Sequence, residues 1–80
     1  MSIVTGSEFA LRSARELLPG YPAKAVIFVN RVLTETVDPR LRFLVGPILS
    51  MIEQNDLEAA LRWLDRALTY EQSRRPPYYV

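Results

Sequence analysis

Residues 38–72 read DPRLRFLVGPILSMIEQNDLEAALRWLDRALTYEQ, and their punctuation decides the fold. Asp38 is followed by Pro39. Asp caps a helix, and Pro suits the first turn because its missing N–H would have no partner there. Asp56 follows Asn55. Asn tolerates the left-handed conformation that closes one helix, and Asp then opens the next. Between the two aspartates, Leu41, Leu44, Val45, Ile48, Leu49 and Ile52 recur at helical spacing. After Asp56, Leu57, Ala60, Leu61, Leu64 and Leu68 do the same up to about Gln72, with Glu58 and Arg62 as a surface pair one turn apart. Gly46-Pro47 falls in the middle of the first of these helices. Pro there removes a backbone bond and crowds the carbonyl four residues back, so a kink or a split into two short helices is expected.

Within this stretch NDLEAALRWLDRAL, residues 55–68, carries Ala60, Leu64 and Ala67 at intervals that resemble the second helix of a tetratricopeptide repeat. The resemblance covers those residues alone. Ile48 stands where that family prefers Gly, Pro47 falls inside the preceding helix, and the closing Pro is absent. Such repeats normally stack at least three deep.

Working upstream, Tyr21-Pro22 opens another helix whose stripe is Ala25, Val26, Val29, Val32 and Leu33. Ile27 and Phe28 lie outside that stripe and share a face with Lys24, Arg31 and Glu35. An apolar residue on a second face marks a central helix or a second contact surface. Further upstream Thr5-Gly6-Ser7-Glu8 fits a capping box. Leu11, Ala14, Leu17 and Leu18 form the buried stripe, Glu8, Arg12 and Glu16 the exposed one, and Pro19-Gly20 the stop. Downstream, SRRPPYYV at 73–80 cannot continue a helix. Its Pro76-Pro77-Tyr78-Tyr79 fits the pattern read by WW domains, or folds its tyrosines back onto the body. The expected fold is all-α: a compact bundle of about four short helices over 1–72, the third kinked at Gly46-Pro47, and an extended C-terminal tail over 73–80.

Eighty residues make one domain, and a chain this short buries only about 60% of its unfolded surface. It has no Cys and no His. A thiolate nucleophile, the usual zinc ligands and the common general base near neutral pH are therefore missing. The acidic residues are spread singly, and the three glycines form no phosphate loop. These features predict no enzyme, no metal and no cofactor. The longest apolar stretch, Phe43 to Ile52, is half of the roughly twenty residues a membrane span needs. The N-terminus does not read as a signal peptide, so a cytoplasmic protein is expected.

What remains is surface. Trp63, Arg66 and Tyr70 fall at i, i+3 and i+7, clear of the leucine line, and are residue types that dominate interfaces. Ile27 and Phe28 give a second patch. The sequence therefore predicts a non-catalytic protein–protein interaction module, a small adaptor, regulator or inhibitor. It carries more apolar side chains than four short helices hide, so a homodimer is expected. The alternative is a nucleic-acid-binding regulator using Arg40, Arg42, Arg62, Arg66, Arg74 and Arg75. Nine of the ten basic residues are Arg, but net charge is only +1, and Glu58 and Asp65 interleave with Arg62 and Arg66.

Overall fold

The computed structural model describes residues 6–74. Its helix starts follow the local chemistry of the sequence. The Asp38 carboxylate accepts a hydrogen bond from the Arg40 amide at 2.9 Å, and Asp56 accepts from the Ala59 amide at 3.3 Å. Pro22 and Pro39 occupy first turns. The four helices are α1 (Gly6–Leu17), α2 (Pro22–Glu35), α3 (Pro39–Glu53) and α4 (Leu57–Ser73), with no strand among the described residues. α3 closes on Asn55, whose φ of 61° is left-handed. The Asn55 amide donates to the Ile52 carbonyl at 3.0 Å and the Asp56 amide to the Met51 carbonyl at 2.8 Å, which is a Schellman closure. α3 remains one helix through Pro47, so two separate short helices are not formed. Thr5 of the expected capping box, and the tail motif at 76–79, lie outside the described residues.

α1 packs on α2 and α4, and α3 packs on the same two, while along the diagonals α1–α3 and α2–α4 no Cα atoms approach within 8 Å among the described residues. The helices form a closed ring around one core. Leu11, Ala14, Val29, Val32, Leu41, Val45, Ile48, Ala60, Leu64 and Ala67 are fully buried in it. Each large one removed from water contributes roughly 1.5–3 kcal/mol. α1, α2 and α4 each bury at least one Ala, and α3 buries none. The small residues let helix backbones approach, and α3 fills the space with Leu41, Val45, Ile48 and Ile52.

Two sequence expectations shift. Glu8 is fully buried, not part of an exposed stripe. It lies one turn before Leu11 and therefore on the same face, with the Arg12 guanidinium at 4.0 Å. On α4 the buried line runs through Ala60, Leu64, Ala67, Leu68 and Glu71, with Leu57 and Leu61 half-buried at its edge. That line is rotated by about 45° from the leucine line, taking 100° per residue.

Candidate interaction surfaces

The two edges of α4 are identified by their polar contacts. Arg15 of α1 meets Asp65 at 2.6 Å, and a cleft of about 260 Å³ between these helices is lined by Arg12, Arg15, Glu16, Leu68 and Gln72. The Asp65–Leu68–Gln72 edge therefore faces α1. On the other edge the Tyr70 hydroxyl and the Arg74 guanidinium both donate to Asp38 Oδ2, each at 2.6 Å. That edge faces the start of α3, and Trp63 lies on it, two turns from Tyr70.

Trp63 lies closer to the core than its distance from the leucine line implies. The rotated buried line brings Trp63 and Tyr70 to its flank, where both are half-buried and packed against core residues. Arg66 stays exposed, with its guanidinium 5.4 Å from the centre of the Trp63 ring. Arg74 stacks on Tyr70 at the same distance. Trp63, Arg66, Tyr70 and Arg74 form one ladder of alternating aromatic and cationic groups. Its lower end is structural, because Tyr70 and Arg74 are tied to Asp38.

Asp38 is the electrostatic centre of that end. The Tyr70 hydrogen bond does most to hold its carboxyl below the ordinary 3.8. Burial opposes the shift, and the Arg40 and Leu41 amides and the Arg74 charge add to it. The same bond holds the Tyr70 hydroxyl above its ordinary 10.0. Thr36 Oγ1 accepts from the Asp38 amide at 3.1 Å. Arg74 also reaches Glu71 at 3.1 Å.

On α2 the expected pair divides. Ile27 is 65% exposed on the outer face, whereas Phe28 is half-buried at its flank against the core. Lys24, Arg31 and Glu35 are exposed beside them. Arg31 pairs with Glu35 at 3.6 Å, and the Lys24 ammonium lies 5.0 Å from the Tyr21 ring centre.

Sequence reasoning missed Phe9 and Phe43, which stand 59% and 71% exposed on the outer faces of α1 and α3. The signal was present. Each is two residues from a core leucine, Leu11 or Leu41, and two residues is about 200° around a helix. Val37 between α2 and α3 is also fully open to water.

Four of the arginines suggested for nucleic acid have partners within the fold. Arg42 donates to the Leu33 and Thr36 carbonyls that end α2, at 3.3 and 2.9 Å. Arg74 is held by Asp38 and Glu71, Arg62 lies 3.9 Å from Glu58, and Arg66 covers Trp63. Arg40 is exposed, and Arg75 lies outside the described residues. Among the described residues no three acidic groups gather as a metal site, and no helix is long and apolar enough to cross a membrane. Comparison of the chain with family models, with curated proteins and with solved structures gave no match.

Proposed function

We propose that this chain is a non-catalytic protein–protein interaction module, a small cytoplasmic adaptor, regulator or inhibitor that also associates with itself. The observation that carries the reading is the apolar surface left over once the core is complete. Phe9, Ile27 and Phe43 each project from the outer face of their own helix at 59–71% exposure. Covering such side chains is favourable by roughly 25 cal/mol per Å² of apolar area. On α4 the ladder offers Arg66 and the open part of Trp63, while the Tyr70 hydroxyl is already engaged. Lack of Cys and His supports a non-catalytic role. The internal partners of Arg42, Arg62 and Arg74 weigh against phosphate binding.

The test is sedimentation of the full chain over a wide concentration range, with parallel titration onto single- and double-stranded nucleic acid at low and high salt. The expected result is a mass that rises with protein concentration, with no tight nucleic-acid binding at either salt concentration. Tight nucleic-acid binding whose affinity falls steeply with salt would overturn the reading, because that slope counts phosphates neutralised.

A further inference from the structure

One flank of the outer face of α2 is self-complementary. Lys24, Phe28, Arg31 and Glu35 follow at steps of four, three and four residues, so they form one strip along the helix, with Ile27 at its edge. The order along the strip is cation, aromatic, cation, anion. Turned end for end about its middle, the same strip presents an anion to the first cation and a cation to the aromatic ring.

We propose that α2 docks on α2 of a second copy, antiparallel about a two-fold axis passing between Val29 and Asn30. Lys24 of each copy then meets Glu35 of the other, and Phe28 meets Arg31. Every contact occurs twice, as a two-fold interface requires. The axis keeps the sides of the strip apart, so Ile27 of both copies lies on one side and Phe28 of both on the other. Glu35 already holds Arg31 at 3.6 Å, and in the dimer it stands between Arg31 and the second copy's Lys24. Ile27, one of the most exposed large apolar side chains of the described residues, is covered. No core residue has to move, because Lys24, Ile27, Arg31 and Glu35 are already exposed and Phe28 adds only its open half. A single helix pair of this length falls short of the roughly 1,000 Å² of a stable interface, so the dimer is weak and exchanging. This assignment rests on the reading of the chain as an interaction module and names its first partner.

Lys24 is the single lysine of the sequence, which makes the test sharp. Within one α2 helix Lys24 and Glu35 are about 16 Å apart at 1.5 Å per residue, too far for a zero-length amide. Carbodiimide coupling of the full chain, read by mass spectrometry, is expected to yield a Lys24–Glu35 cross-link in a species of dimer mass. Lys24→Glu and Glu35→Lys each place like charges opposite one another and are expected to weaken the dimer about tenfold or more. Mixing the two variants sets an acid opposite a base at both ends of the helix pair, and is expected to recover association. Circular dichroism of each variant checks that these exposed substitutions leave the bundle folded. A dimer that persists in both variants, yields no Lys24–Glu35 product and shows no recovery on mixing overturns the pairing and leaves the interaction reading standing. A chain that stays monomeric near millimolar concentration overturns it as well, and leaves the interaction reading to a foreign partner only.

Discussion

The α2–α3 and α3–α4 junctions carry the same sequence signal, an aspartate at a helix start, and use it differently. At the second junction Asp56 accepts one amide of its own helix, and Asn55 closes the preceding helix with backbone bonds. Every partner lies within a few residues. At the first junction Thr36 and Asp38 are extended, and Asp38 collects the Arg40 amide, the Tyr70 hydroxyl and the Arg74 guanidinium. Tyr70 and Arg74 are more than thirty residues away in sequence. Arg42 reaches back from α3 to the last carbonyls of α2. The second junction is therefore held by local chain conformation, and the first by side chains that fasten three helices together.

The largest effect is expected at Asp38. Asp38→Ala removes the cap of α3 and the acceptor for Tyr70 of α4 and for Arg74 at its C-cap in one step. Thermal unfolding followed by circular dichroism should show a clearly lower Tm than Asp56→Ala at neutral pH. Equal losses in the two variants would break the contrast between the junctions.

Next comes the pH dependence of the first junction. In the fold the Asp38 carboxyl lies below its ordinary 3.8, so its contribution is fully present above that value. It is lost as pH falls below 3.8 and through the lower folded value. Tyr70 is raised above its ordinary 10.0, so its contribution is present below 10 and lost as pH rises through the raised value. Tyr70→Phe removes the largest cause of the Asp38 shift and the phenol that titrates on the alkaline side. A plot of Tm against pH should become flatter on its acid limb in that variant. An acid limb of unchanged slope would mean that the Tyr70–Asp38 bond does not couple α4 to α3.

Asp56→Ala is expected to cost about 0.5–2 kcal/mol, the usual worth of a lost N-cap. Denaturant unfolding measures it, and a loss as large as that of Asp38→Ala would mean that side chains from other helices hold this junction too.

The difference between the junctions also explains what the sequence disclosed. The helix starts at Pro39 and Leu57 follow from aspartate caps that act over two or three residues, and the start at Pro22 from proline in the first turn, and such chemistry is written locally. The left-handed closure at Asn55 is legible for the same reason. The rotation of α4 is not. It depends on burying Ala67 and Glu71 while leaving Leu57 and Leu61 half-open, and residue type alone argues for the opposite. The burial of Glu8 misleads in the same way, because a charged residue on a core stripe reads as surface. The Asp38–Tyr70 bond joins helices far apart in sequence and has no local signature. Residue spacing alone therefore sets Trp63 too far from the core, and gives its strip more freedom than Tyr70 and Arg74 leave it. Phe9 and Phe43 lie on the legible side, since their spacing from Leu11 and Leu41 is enough to place them outside.

The smallest effect tests the local character of the second junction. Asn55 adopts a φ of 61°, where an ordinary L-residue pays roughly 1–2 kcal/mol because its Cβ crowds the following carbonyl. Asn loses less, since its short polar side chain tolerates that region, and Gly loses almost nothing there. Gly does give up more backbone freedom on folding, which offsets part of its advantage. Asn55→Gly is therefore expected to change stability by no more than about 0.5 kcal/mol in either direction. Asn55→Ala is expected to lose about 1 kcal/mol, because it keeps the Cβ and forfeits the tolerance of Asn. Denaturant midpoints at constant m give both values. If the turn is closed by conformation alone, the order must be Gly close to Asn and Ala below both. Should Gly fall as far as Ala, the Asn55 side chain itself holds the junction, and the second junction would then resemble the first in being fastened by a side chain.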